Sequence, residues 1–169
     1  MIVASLVLLA TSAAASPALG VLPSVTTQTL AGERVVLPHD LRQAAIFVAG
    51  FTKASRAETE PWARRLREDS RVSTKVHVYE VSILDGVPGF LRAMIIKQMR
   101  TGVAPARQKQ FLIVTDAIES WKRALGTTGR DDRASLVLVL PTGVVLWRGH
   151  GALSEAAYQD LLREIGSSK

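Results

Sequence analysis

The chain contains no cysteine. That absence removes disulfides, thiolate nucleophiles, iron–sulfur ligation and every zinc site built on sulfur. Aromatic residues are scarce, at 5%. Binders of single-stranded nucleic acid need aromatic platforms for their bases, so no nucleic-acid partner is expected. Neither a G-x-G-x-x-G nor a P-loop pattern occurs, and no cofactor is expected. The apolar stretch at the N-terminus is too short for a membrane span of roughly 20 residues. Internal repeats and low-complexity segments are also missing.

What is present describes a globular chain. Its 169 residues are 47% hydrophobic and 21% charged, enough for one domain of ordinary size. Such a chain buries about two-thirds of its unfolded surface and needs no metal or disulfide to hold a core. Basic residues number 21 against 15 acidic, a net charge of +6. A basic surface suits an acidic partner or anionic lipid, and says nothing of fold.

The first segment reads as a targeting device. Met1 to Ala10 is apolar apart from Ser5, small residues run from Thr11 to Ser16, and Ala13-Ala14-Ala15 forms an A-x-A cleavage site before Pro17. This is the order of a secretory signal, although no Lys or Arg precedes the apolar run. Residues 1–20 are therefore expected to be a signal peptide with a short linker, and 21–169 the folded domain, periplasmic or membrane-associated.

The domain alternates strand and helix signals. A turn at Gly32 leads into a short strand ending at Leu37. Ala44 to Phe51 is a continuous apolar run, as a buried central strand requires. Ser55 with Glu58 forms a capping-box pattern opening a helix to about Glu68, with Trp62, Ala63 and Leu66 on its apolar face. Lys75 to Ile83 alternates as a strand, Phe90 to Arg100 is an amphipathic helix, and Gln110 to Thr115 is a further strand. A short helix spans Ala117 to Leu125. Ser135 to Leu140 and Val144 to Arg148 form a hairpin around Pro141-Thr142-Gly143. Ser154 caps a last helix, which Gly166 stops. Helices between strands force crossovers, and the closing hairpin is antiparallel, so a mixed sheet flanked by helices and ending ββα is expected.

This plan, and two stretches within it, resemble a known superfamily. Gly32 to Phe51 (GERVVLPHDLRQAAIFVAGF) resembles the opening segment of the redoxin and peroxiredoxin group, and Leu140 to Gly151 (LPTGVVLWRGHG) its closing hairpin and terminal turn. The resemblance implies an α/β thioredoxin-like fold. In catalytic members the loop after the core strand carries the reactive Cys. Here Thr52-Lys53-Ala54-Ser55 sets T-x-x-S in place of T-x-x-C, and Arg133-Ala134-Ser135 lacks the cis-proline that precedes the hairpin. Thr52 and Ser55 thus mark a degenerate redox loop. Serine is un-ionised at relevant pH and no adjacent base is evident, so no redox enzyme and no catalytic residue is expected. A Cys-less branch is most similar: bacterial relatives of the mitochondrial ATP synthase assembly factors. Arg92 to Thr115 resembles that family's helix and basic, proline-containing linker. Trp147, Gly149, His150 and Gly151 resemble its terminal turn.

The middle segment carries the sharpest charge pattern. No acidic residue lies between Gly86 and Thr115, whereas Arg92, Lys97, Arg100, Arg107 and Lys109 are all basic. At about 100° per residue, Arg92, Arg100 and Lys97 fall on one side of the helix, opposite Leu91, Met94, Ile95 and Met99. The expected role is a docking face for a membrane protein complex, such as an ATP synthase-like one, or for anionic lipid; the plainer reading is a solvated face. His39, His77 and His150 show no ligand spacing and no metal is expected, with His77 read among apolar strand residues. Glu119, Asp131 and Asp132 read as solvated, with Arg130 to Arg133 as a salt-bridged loop. Trp62, Trp121 and Trp147 read as core. A cofactor-independent enzyme using Thr52, Ser55 and Arg56 stands as the alternative to a binding module.

Overall fold

The computed structural model describes residues 19–128 and 131–167; the signal-like segment before Leu19 and the side chain of Arg130 lie outside them. One eight-stranded sheet organises the chain. Its strands are β1 (Gly20–Val21), β2 (Val25–Thr29), β3 (Arg34–Leu37), β4 (Ala45–Gly50), β5 (His77–Ile83), β6 (Phe111–Val114), β7 (Ser135–Val139) and β8 (Val144–His150), in spatial order β1-β8-β7-β4-β5-β6-β2-β3. Among the described residues five helices accompany them: α1 (Arg56–Glu68), α2 (Ser70–Ser73), α3 (Gly89–Gly102), α4 (Ile118–Leu125) and α5 (Glu155–Ser167), with a 3-10 helix at Pro105–Gln110.

Strands β4, β5 and β6 are parallel, joined by crossovers that contain α1 and α3, while β7 runs antiparallel to β4. The mixed sheet and closing ββα unit expected from the sequence are thus present. Every residue of β4 and β7 is buried, because both faces of the sheet centre are covered. Phe47, Val81, Leu112, Trp121 and Val137 lie on one face under α4. Ile46, Val48, Leu136, Trp62 and Tyr158 lie on the other, under α1 and α5. The hairpin turn needs its glycine: Gly143 has φ +87°, and a Cβ there would press on the Leu22 carbonyl at 2.9 Å.

Several expectations are corrected. Strand β2 has no counterpart in the sequence reading, since VTTQT looks like a polar linker. Two of its threonines, Thr27 and Thr29, are β-branched and inward: Thr27 donates to the Ile113 carbonyl at 2.8 Å. The capping box at α1 does not form, because Ser55 is itself in helical geometry and makes no side-chain cap. Gly166 does not stop α5, which runs on to Ser167. His77 is exposed at the start of β5.

A polar cluster fastens the helices of one face. Tyr158 donates to Asp69 Oδ2 at 2.7 Å, Arg71 forks onto both oxygens of Asp69, Nε to Oδ1 and Nη2 to Oδ2, and the Arg65 guanidinium lies 4.2 Å from the Tyr158 ring centre. The Arg71 hydrogen bonds hold Asp69 well below the usual carboxylate range. Burial, then the bond to Asp69, pushes Tyr158 up to about 12.

Candidate functional site

The loop after β4 is locked by its own hydroxyls. Thr52 Oγ1 donates to Asp132 Oδ1 at 2.6 Å and accepts from the Ser55 amide at 3.2 Å; Ser55 Oγ donates to the Thr52 carbonyl at 2.7 Å. Ser55 is 1% exposed, and a Cβ on Gly50 would overlap its Oγ. Glu58, freed from capping, reaches across to accept from the Ala134 amide at 2.9 Å. Among the described residues the one cis peptide is Leu37–Pro38, so the Arg133–Ala134 bond before the hairpin is trans.

The terminal turn is a fastener. Trp147 Nε1 donates to Asp160 at 2.8 Å, and its ring crosses Gly149 so closely that a Cβ there would overlap it. Trp62 Nε1 donates to the Gly151 carbonyl at 3.0 Å, joining α1 to the turn. His150 stands 3.3 Å from Ser135 Oγ and 3.4 Å from Asp131 Oδ2. That Ser–His–Asp string gives a substrate no approach, for Ser135 is 1% exposed and none of the three lines the cleft described below. Asp131 and Asp132 therefore spend themselves on His150 and Thr52 rather than only on neighbouring arginines.

The basic residues do not share one face. Helix α3 rests on Leu30, Leu84 and Ile113 through Ile95, Ile96 and Met99, continued by Val103. This stripe is centred on the side of Arg92, about a quarter-turn from the arc that the sequence suggests. Met94, expected inside, is 61% exposed. Arg92 Nε donates to the Val87 carbonyl at 3.1 Å and Arg100 Nε to the Leu30 carbonyl at 2.7 Å. Both guanidinium heads are thus held by backbone carbonyls. Lys109 pairs with Glu33 at 2.8 Å, and Arg107 with Glu80. Lys97 enters none of the ion pairs among the described residues.

A cleft of about 460 Å³ opens between α1 and α3. One wall is the locked loop with Arg56, Thr59 and Glu60; the other is Ile95, Gln98, Met99 and Val103. Val48, Glu80 and Ser82 lie at its floor, and Phe111 and Arg107 close the far end. Glu80 is 13% exposed, and its Oε1 accepts from both Arg67 at 2.7 Å and Arg107 at 2.5 Å. Arg107 Nε is buried without an acceptor. The sequence reading missed Glu80 and Ser82. The signal was a phase break: Val76, Val78, Glu80 and Ser82 share one strand face, and the polar pair interrupts an otherwise covered apolar row.

With this geometry in view, solved structures supply the comparison. The thio-disulfide isomerase of Thermus thermophilus matches at 20% identity and TM-score 0.58, over 90% of this chain and 99% of its own. BsSco, of the Sco family of cytochrome c oxidase assembly proteins, matches at 18% and 0.57, over 90% and 95%. The exposed lipoprotein thioredoxin of Streptococcus pneumoniae matches at 12% and 0.58, over 83% and 98%. The fold is thioredoxin-like. No family model and no curated protein matches the chain. The thioredoxin-like module is thus a matter of architecture, and none of these comparisons supports the narrower resemblance to ATP synthase assembly factors.

Proposed function

We propose that the protein is a non-catalytic, exported binding module that assists assembly of a membrane protein complex, docking through α3. The carrying observation is the contrast between two neighbouring surfaces. The loop where redox relatives hold their reactive sulfur spends its hydroxyls on backbone and on Asp132. Beside it, α3 buries none of its 14 residues and leaves Phe90 82% and Met94 61% exposed. Spaced four apart, these two form an apolar knob on one helix face, with Lys97 close by. Exposed aromatic and methionine side chains are what interface cores are made of. The run without acidic residues around them suits an acidic partner or the anionic surface of a membrane.

Two likenesses support the assembly role: the motif resemblance to ATP synthase assembly factors, and the fold shared with a member of the Sco family of cytochrome c oxidase assembly proteins. Export is supported by the signal-like N-terminus and by the shared fold of an exposed lipoprotein thioredoxin. An ATP synthase-like complex is the proposed client. The test is crosslinking in intact cells followed by mass spectrometry of what is captured. Recovery of one membrane complex, lost in Phe90→Ser/Met94→Ser/Lys97→Glu with an unchanged melting temperature, supports the reading. Capture that is indifferent to the variant, or of lipid alone, overturns it.

A further inference from the structure

The cleft between α1 and α3 has two properties that the docking role does not use. Its hydrophobic lining is underpacked: Val87, Ile95, Met99, Val103 and Phe111 are only partly buried and rest on three buried residues, Leu30, Leu84 and Ile113. A core residue elsewhere in the sheet is enclosed on all sides; these side chains face the opening instead. Its charge is also unbalanced. Lys53, Arg56 and Arg107 line it, with Arg67 bonded to the floor, against only Glu60 and Glu80. Arg56 is matched by Glu60 at 3.2 Å. Arg67 and Arg107 share one oxygen of Glu80, and Lys53 enters none of the ion pairs among the described residues. One guanidinium and one ammonium are left over.

We propose that this cleft binds a medium-length alkyl carboxylate. The hydrocarbon chain lies along Ile95, Met99, Val103 and Phe111, and the carboxylate meets Arg107, whose Nε already lacks an acceptor. A guanidinium presents paired N–H groups that match a carboxylate, whereas an ammonium does not, so the head group is placed at Arg107 and not at Lys53. The volume lies within the range of small-molecule sites, and a mostly apolar lining with a few convergent polar groups is their usual composition. The site stands whether or not α3 docks a partner.

The experiment is calorimetric titration of the purified protein with decanoate, in parallel with decanol, decylamine and phosphatidylglycerol vesicles. Saturable binding of one decanoate per chain is expected, with decanol at least about tenfold weaker for want of the charged head and decylamine not bound. Arg107→Gln weakens decanoate by a similar factor while Arg67 still holds Glu80. Gly102→Trp tests the lining separately. Gly102 lines the cleft, and an added Cβ there meets nothing within 4 Å, so the fold accepts the ring while the cleft is filled. Loss of decanoate binding in Gly102→Trp at unchanged melting temperature, together with weakened binding in an Arg107→Gln variant that still unfolds cooperatively, supports the site. Equal binding of decanol and decanoate, unaltered binding in Gly102→Trp, or binding to vesicles alone overturns it.

Discussion

Replacing Glu80 by Gln tests whether the floor of the cleft is held together by charge. The substitution keeps the volume and removes one anion from between two guanidinia, at 2.7 and 2.5 Å from the same oxygen. At 4 Å and an effective dielectric of 20, each ion pair is worth about 4 kcal/mol before other costs. The two arginines repel each other, the carboxylate has given up most of its water, and Arg107 keeps 39% of its surface in solvent. Breaking a fully buried pair costs about 3–5 kcal/mol; partial exposure brings the expected loss here to about 2–3 kcal/mol. For a chain of this size that is a drop of about 4–12 °C in melting temperature. Thermal unfolding followed by circular dichroism measures it, and the Glu80→Gln/Arg107→Gln double variant reads the coupling. The single and double variants are expected to be nearly equal, because the second change removes a cation that the first had stranded. A melting temperature within about 2 °C of the parent for Glu80→Gln refutes the reasoning.

Gly50→Ala is expected to cost about 1–3 kcal/mol by overpacking. Adding Ser55→Ala should recover most of it, since the overlapping atom is Ser55 Oγ and the Ser55 Cβ sits at an ordinary 3.4 Å; denaturant titrations with no rescue would contradict that contact. Tyr158→Phe removes a hydrogen bond to an ionised carboxylate and should cost about 1.5–3 kcal/mol in the same assay. Asp69 has its folded-state pKa lowered from 3.8, so its contribution is complete above about pH 5 and lost as pH falls through 4 and below. Unfolding measured across pH 2–6 should show a shallower acid slope in Asp69→Asn than in the parent.

Much of this architecture is visible in the residues themselves, and what is hidden has physical causes. Strand β4 and the closing hairpin announce themselves because AIFVAG and SLVLV are continuous apolar runs, and Gly143 marks the turn. Strand β2 stays silent because two of its three inward positions are threonines: the Thr27 hydroxyl finds its acceptor only once β6 is alongside, and the Thr29 hydroxyl accepts from the Glu33 amide across the turn to β3. Helix α3 was legible as a helix but not in its rotation. Leu91 and Met94 are as apolar as Ile96, and only the Leu30–Leu84–Ile113 patch, assembled from three distant segments, selects which stripe goes down. The two arginines on that side are satisfied by carbonyls of Val87 and Leu30, a bond of sequence separation 70 in the second case. The motif draws attention to Thr52 and Ser55, but the Thr52 hydroxyl's partner, Asp132, lies 80 residues away and is invisible to it.

The interlock of Gly50, Thr52 and Ser55 has a bearing on whether this loop can accept a thiol. A single Ser55→Cys change would create a T-x-x-C pattern on paper. The sulfur would enter a slot sized for oxygen, 1% exposed and already closed over the Thr52 carbonyl, with no imidazole or amine among the hydrogen-bonding partners of the two hydroxyls. It would be a buried thiol that oxidant and substrate cannot reach. Redox chemistry at this loop would need the slot opened, a cation supplied and the trans peptide before β7 rebuilt. The packed hydroxyls thus leave the loop no room for a working thiol.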